Sequence, residues 1–479
     1  MKSLLLSLFA VVISSTLSAA DKPNIIFILA DDLGYGELGC YGQKVVQTPY
    51  LDNMAKEGLR FTQFYSGATV CAPSRSVLMT GLHHGHTRVR GNSGKQNPAA
   101  QALHAEEVTV AKVLRDAGYD TSLIGKWGLG DINGAESGLP RKQGFNSFFG
   151  YLNQSHAHNH YPDFLWRNEV KETLPNQIIP VGTNGAGYAV KREKYVGDLF
   201  TEETIKFLET SRSQPFFLYL SLVTPHANNE KAGALKDGAD VPDYGIYADK
   251  NWPNPDKGHA AMITHMDRQV GLILKELQER KLAENTLVIF TSDNGPHKES
   301  RHDLERFNPS GPFSGIKRAL TDGGIRVPCL AWWPGKIKAG TVSDHVAYFG
   351  DWMATASELS DANPPAGLDS ISFVPTLLGD LEKQKSHEFL YWEFHENGFN
   401  QAALYLGRWK GIRQGAADAP IRLYDLEQDP AEQTDVSMTN QDIAQKVTAY
   451  FSTARTPSAD WEPRWEAVKK RALPEAADK

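Results

Sequence analysis

Cysteine is scarce in this chain: Cys40, Cys71 and Cys329 are the whole supply in 479 residues. So low and odd a count excludes a disulfide scaffold, and nothing in the sequence pairs Cys40 with Cys329. A bias toward one sign of charge is also missing. The net charge is −7 with both signs mixed along the chain, and without a basic run there is no electrostatic footprint for nucleic acid. After residue 20 no apolar stretch is long enough to cross a bilayer, so no membrane span is expected. Internal repeats and low-complexity tracts are absent. The length suits one large domain with a smaller one attached.

The first twenty residues stand apart. Lys2, an apolar stretch over residues 4–13 and Ser18-Ala19-Ala20 predict a secretory signal peptide over residues 1–20 and an exported protein, periplasmic or secreted. A membrane anchor would need a longer span.

Residues 24–30 form a continuous apolar run, the pattern of a strand buried on both faces. It ends in Asp31-Asp32. The same grammar returns at residues 287–292, followed by Asp293-Asn294-Gly295. Adjacent carboxylates repel unless a cation sits between them, and ligands of open α/β sheets bind at the carboxyl ends of strands. Hard oxygen donors of this kind favour Ca²⁺ or Mg²⁺ over zinc. The plainer alternative is an exposed loop with helix-capping aspartates. Two further strands, over residues 120–124 and 215–223, are followed by Lys126 and His226; alone, each reads as a loop residue.

Residues 71–81 predict a short helix. Pro73 suits a first helical position and Gly81 a stop. Cys71 then lies at a helix N-terminus, where unpaired N–H groups attract an anion, and Arg75 adds a fixed cation. The thiol reads either as an activated nucleophile or as a small buried residue capping a core helix.

Amphipathic helices are expected over residues 48–59, 108–117, 202–209 and 262–279. Alternating with the strands, they predict an α/β fold with a mostly parallel sheet sandwiched by helices. Past the loop at 361–368 the chain changes to short strand candidates at 388–393, 402–406, 409–413 and 421–426, then a helix at 442–454.

The spelling Cys71-x-Pro73-x-Arg75, followed by Ser76 and Thr80-Gly81, resembles the signature of type I sulfatases, of the alkaline phosphatase superfamily. Matching segments run from residue 23 to about residue 430. The resemblance implies an alkaline-phosphatase-like catalytic domain over residues 21–380 and a C-terminal subdomain of antiparallel strands plus a helix over 381–479. It implies that Cys71 is oxidised to 3-oxoalanine (formylglycine), whose hydrate attacks sulfur. It also implies that Asp31, Asp32, Asp293 and Asn294 hold one divalent cation, usually Ca²⁺ with Mg²⁺ possible, in contact with residue 71. Arg75, Lys126 and Lys317, the last within the glycine-rich segment 311–317, would neutralise the sulfate, and His226 would protonate the leaving oxygen.

The chain departs from the pattern in two places. Gly128 stands where the family commonly has a histidine that serves the nucleophile, and Asp322 where it usually has glutamate. His84, His86, His156, His158, His160 and His297 are candidate substitutes. The polar stretch 153–162 puts His156 and His158 first, as substrate-facing residues. Trp392, His395, Glu396 and Arg413 are candidates for the pocket rim, with ordinary packing the alternative for Trp392. The implied partners are a sulfated carbohydrate, a galactose or N-acetylgalactosamine sulfate as first choice, and a maturation enzyme, formylglycine-generating or anaerobic. Three alternatives stay open: a phosphodiester or phosphonate monoester hydrolase of the same superfamily, a group transferase, and a glycan-binding protein whose Cys71 is never modified.

Overall fold

A computed structural model describes residues 22–92, 97–182, 184–396 and 398–465. The expected signal peptide lies outside the described residues. The larger part of the molecule is built on a ten-stranded sheet. In chain order its strands are β1 (Asn24–Asp31), β2 (Leu59–Phe61), β3 (Asp120–Lys126), β4 (Ser147–Tyr151), β5 (Phe164–Arg167), β6 (Val170–Thr173), β7 (Phe216–Pro225), β8 (Thr286–Ser292), β9 (Cys329–Trp332) and β10 (Thr341–Ser343), and their order across the sheet is β10-β2-β9-β8-β1-β7-β3-β4-β5-β6. The central block β8-β1-β7-β3-β4 is parallel, whereas β9 and β5 run antiparallel to it. The sheet is therefore mixed but mostly parallel where it is most buried.

The apolar runs explain this placement. Every residue of β1, β7 and β8 is buried. Along β1, Ile25, Phe27 and Leu29 join a core on one face, which includes Val77, Leu78 and Met79 of helix α2 (Cys71–Thr80) and Trp352 and Met353. Ile26, Ile28 and Ala30 join the core on the other face, against α1 (Pro49–Glu57), α3 (Val196–Glu209) and α5 (Asn254–Glu279). A strand covered by helices on both sides has no polar face to show, hence its continuous hydrophobic spelling.

Two helices begin earlier than the sequence pattern suggests. The one expected at 262–279 starts at Asn254, and the one at 202–209 starts at Val196. In α5 the extra turns bury Asp256, Gly258, His259, Ala260 and Ala261. With small and polar residues buried there, no apolar stripe marks the turns.

A separate four-stranded antiparallel sheet follows, β11 (Phe389–Phe394), β12 (Asn400–Tyr405), β13 (Trp409–Gln414) and β14 (Arg422–Asp425), with helix α6 (Gln441–Thr453) packed on it through Val447 and Phe451. This small sheet is joined to the larger part of the molecule by a shared apolar core, which takes in Leu390, Trp392, Leu404 and Ile412, and by polar contacts. Trp392 Nε1 donates to Ser66 O at 2.9 Å, and Lys410 Nζ donates to Asp322 Oδ1 at 2.7 Å. No helix among the described residues is long and apolar enough to cross a membrane.

Candidate functional site: a buried charge cluster at the carboxyl ends of four strands

Parallel strands end on the same side, so β1, β8, β3 and β7 deliver Asp31, Asp293, Lys126 and His226 to one place. Asp32 follows β1 with a left-handed φ of 66°, which turns the chain sharply there. Its N–H donates to Asp293 Oδ1 at 3.1 Å, and the Leu33 N–H donates to Ser292 Oγ at 2.8 Å. These bonds stitch the two acidic turns together.

Three cations meet the three carboxylates. Lys126 Nζ lies 2.6 Å from Asp31 Oδ2, and Lys317 Nζ lies 2.7 Å from Asp32 Oδ2. The Arg75 guanidinium grips Asp293 Oδ2 through Nε at 3.1 Å and Nη2 at 2.8 Å. Arg75 is further locked by the Lys126 carbonyl at 3.1 Å and by the Ser221 hydroxyl. Cys71, the first residue of α2, is 3% exposed, and its Sγ lies 3.5 Å from Asp31 Oδ1.

The electrostatics follow from burial and partners. Burial alone pushes the Asp31 carboxyl up, but Lys126, His226, Arg75 and Lys317 reverse this and hold it well below the usual range. Asp293 is pushed up to about 6 by burial and by the neighbouring Asp31 charge, which Arg75 only partly offsets. Burial would lower Lys317, yet Asp32 and other anionic groups raise it above its ordinary value. Burial pushes the Cys71 thiol far up, and Lys126 and Lys317 do not compensate. Burial therefore works against the reading of Cys71 as an activated thiolate.

The donor set fits a divalent cation. Ligand atoms of Asp31, Asp32, Cys71 and His226 all lie within 4.8 Å of one another. Asn294 Nδ2 donates to Asp32 Oδ1 at 2.7 Å and to the Gly295 carbonyl at 2.9 Å, while its Oδ1 is buried with no partner among the described residues. An orphaned carbonyl oxygen beside three carboxylates calls for a hard cation.

His226 is neutral in this arrangement. Burial lowers its pKa well below normal and Lys317 lowers it further. Nδ1–H donates to the Ala227 carbonyl at 2.7 Å, so Nε2 accepts from Lys317 Nζ at 3.1 Å. Two other histidines stack on the His226 ring, His297 at 5.9 Å and, closer, His158. Its ring stacks on His226 at 4.9 Å, nearly parallel, and its Nδ1 lies 3.2 Å from a Glu230 carboxylate oxygen.

His156 goes elsewhere. It is buried between Tyr151 and Phe164, with neither ring nitrogen hydrogen-bonded among the described residues, and burial pushes it down to about 3. The expectation that His156 contacts the ester is therefore corrected. The apolar space behind β4 takes the ring, although one residue of polar loop separates it from His158. His160 and His297 act as struts, donating Nε2–H to the carbonyls of His226 and Pro225, each at 2.9 Å. His84 holds Arg90 and Glu393, and His86 pairs with Asp369, both apart from the carboxylate cluster.

Two contributors escaped the sequence reading. Glu230 orients His158 but is one ordinary glutamate in α4 (Asn229–Leu235), a helix of seven residues. Gln154 lies over Gly128: a Cβ added to Gly128 would meet Gln154 Nε2 at 2.4 Å, and that nitrogen is buried without a partner among the described residues. The volume left free by the glycine is thus filled by an amide. Of the rim candidates, Trp392 is fully buried packing and Arg413 lies over Phe451 inside the small lobe. His395 and Glu396 remain half-buried, bonded to Glu393 and Arg318.

The family model described as Sulfatase matches residues 23–362, and that of the C-terminal part of N-sulphoglucosamine sulphohydrolase matches residues 314–455. N-acetylgalactosamine-6-sulfatase of Mus musculus is 32% identical over 82% of this chain and 72% of its own length. Arylsulfatase A of Homo sapiens is 31% identical over 90% of this chain and 85% of its own. The crystal structure of Ps i-CgsB in complex with k-i-k-neocarrahexaose covers 93% of this chain and 95% of its own, with a TM-score of 0.74 and 25% identity. With the family signature on α2, the charge cluster at the strand ends and these matches in agreement, the chain belongs to the sulfatase family and is a sulfuric ester hydrolase.

Proposed function

We propose that the protein hydrolyses sulfate esters of a sulfated glycan, a galactose or N-acetylgalactosamine sulfate first among them, after export and after oxidation of Cys71 to formylglycine by a maturation enzyme. The observation that carries this reading is the convergence of Arg75, Lys126 and Lys317 on Asp31, Asp32 and Asp293 beside Cys71, with the Asn294 carbonyl oxygen left over. Relatives named for N-acetylgalactosamine-6-sulfatase activity support the choice of substrate class.

Asp31, Asp32, Asp293 and Asn294 would hold the cation, Ca²⁺ or Mg²⁺, with residue 71 alongside. What the two absent groups supply is a hydrated aldehyde as nucleophile and a divalent charge against the sulfate oxygens. Lys126 and Lys317 then turn from the carboxylates to the sulfate, placing positive charge where the transferring group is most negative. Arg75 stays on Asp293 and fixes the start of α2. A bound ester brings negative charge to His226, raising it toward protonation, so that Nε2 can pass a proton to the leaving oxygen. Glu230, 3.2 Å from Nδ1 of His158, orients that ring against His226.

The experiment is a mass spectrum of the peptide containing residue 71, run beside turnover of aryl sulfate, aryl phosphodiester and a panel of defined sulfated sugars. The aldehyde mass with preference for sulfates is expected. An unmodified thiol in a fully active protein, or preference for the phosphodiester, would overturn the reading.

A further inference from the structure

Asp31 and Asp32 face two sets of donors. One is the oxygen set completed by Asp293 and Asn294. The other holds a sulfur and a nitrogen: Cys71 Sγ is 3.5 Å from Asp31 Oδ1, and His226 Nε2 is 3.4 Å from Asp32 Oδ2. Ligand atoms of these four residues lie within 4.8 Å of one another, and all four residues are buried. A tetrahedral zinc ion, with Zn–S of about 2.3 Å and Zn–N or Zn–O of about 2.0–2.1 Å, holds its donors roughly 3.3–3.6 Å apart. Both of the separations above match that edge.

The surroundings suit such an ion. His226 donates Nδ1–H to the Ala227 carbonyl at 2.7 Å, the kind of bond that fixes a metal-bound histidine and leaves Nε2 as the ligand. Asp31 and Asp32 are themselves hydrogen-bonded, by Lys126 at 2.6 Å and Lys317 at 2.7 Å. Lys317 also reaches His226 Nε2 at 3.1 Å, and it keeps Asp32 when an ion takes the nitrogen. Thiolate and imidazole beside two carboxylates select zinc over calcium, whereas an all-oxygen set selects the reverse. Burial works against a free Cys71 thiolate. A bound zinc ion offsets this, because the Zn–S bond forms as the S–H bond breaks and the proton passes to solvent.

We infer that the folded chain with Cys71 unmodified binds one Zn²⁺ through Cys71, Asp31, Asp32 and His226, and that maturation destroys this site by removing its sulfur. Both cation sites need Asp31 and Asp32, so one excludes the other. A folded chain that missed maturation is then held as an inactive zinc protein. The loss of the site on maturation rests on the formylglycine reading above; the site of the thiol form does not.

The test uses the full chain made with and without a maturation enzyme, in buffer containing Ca²⁺, with the state of residue 71 read by mass spectrometry. Co²⁺ is the probe. The unmodified chain should take up one Co²⁺ with the strong visible bands of a tetrahedral site and a near-ultraviolet thiolate-to-cobalt band, and Zn²⁺ should displace it. Cys71→Ser should lose the thiolate band. His226→Ala should weaken Zn²⁺ binding by at least the roughly 10–100-fold that loss of an outer-shell partner costs. The matured chain should show neither set of bands. Absence of the thiolate band from the unmodified chain, its persistence in Cys71→Ser or in the matured chain, or a Zn²⁺ affinity untouched by His226→Ala overturns the zinc site. Full sulfatase turnover by a chain whose Cys71 is unmodified overturns the formylglycine reading instead.

Discussion

Two buried ion clusters sit about one loop apart in sequence, and they are finished differently. At the interface between the sheets, Asp322 Oδ1 receives Lys410 at 2.7 Å, while Oδ2 receives the Tyr65 hydroxyl at 3.0 Å and Arg326 at 3.2 Å. Its N–H goes to Glu432 at 2.6 Å, and Glu432 in turn meets Lys410 at 3.3 Å. Both cations are committed to fixed partners within the protein. The cluster at Asp31 has the same ingredients, but it leaves the Asn294 carbonyl oxygen over and keeps two lysines that can release their carboxylates. In the first cluster the oxygen without a hydrogen bond among the described residues, Glu432 Oε1, still has the Lys410 ammonium at 3.3 Å, whereas the Asn294 carbonyl oxygen is left without a cation of its own. Burial pushes Glu432 up to about 7 despite Lys410, whereas burial and Asp31 push Asp293 to about 6. The first acid ends beside a dedicated lysine, the second beside a place for a metal.

The largest effect is expected at the nucleophile. Cys71→Ala and Cys71→Ser should lower aryl sulfate turnover roughly 10⁴-fold or more, the scale seen when a nucleophile is removed, with the melting temperature unchanged. Full activity of Cys71→Ala would sink the mechanism. Next comes the pair that separates the clusters. Lys410→Ala should cost roughly 3–5 kcal/mol of stability by stranding buried acids, while the folded fraction keeps its rate. Lys317→Ala should do the reverse in cation-loaded protein, losing about 10²–10³-fold in kcat with little change in melting. The contrast collapses if both variants change the same quantity.

Chelation should sharpen it further. Removing the cation is expected to abolish turnover and to lower stability by about 2.7 kcal/mol relative to a concentration 100-fold above Kd, and re-addition of Ca²⁺ should restore both. Intact rate and melting after chelation verified by elemental analysis would make Asp31, Asp32, Asp293 and Asn294 mere capping residues. The smallest effect is a pH slope. Asp293 titrates near 6 in the folded chain, above its ordinary value of 3.8. Between these values the proton favours the folded form, so the metal-free protein loses stability as pH rises through that window. Cation binding must displace the same proton, so the Ca²⁺-induced rise in melting temperature should shrink below about pH 6. An equal rise at pH 5 and pH 7 would remove Asp293 from the ligand set.

How much of this could be read from the sequence depends on how local each signal is. The strands ending at Asp31, Pro225 and Ser292 were legible because double-sided burial writes a nearly unbroken apolar run. Asp31-Asp32 and Asp293-Asn294 stood out because each follows such a run. Choosing His158 over His156 was not possible, since the two differ only in which side of a short turn they leave, and Phe164 decides that from a distance. Gln154 was hidden because its role depends on an empty volume over Gly128. The pairing of Asp322 with Lys410 joins a short helix, Asp322–Ile325, to a strand of the small sheet, and no periodicity or spacing announces it.

The depth at which Cys71 is held carries a consequence in time. An enzyme that oxidises this side chain must hold the residues around it in its own cleft, which a thiol at 3% exposure, packed at the start of α2, does not permit. On the proposed maturation, the modification therefore competes with closure of the sheet. Ser66, five residues upstream, gains its clasp from Trp392, and 321 residues separate Cys71 from Trp392. At roughly 5–20 residues per second, synthesis alone holds that clasp off for roughly 16 to 64 s after Cys71 has been made. Mutations that hasten collapse of the first sheet would then lower the yield of modified protein without touching any residue of the finished site.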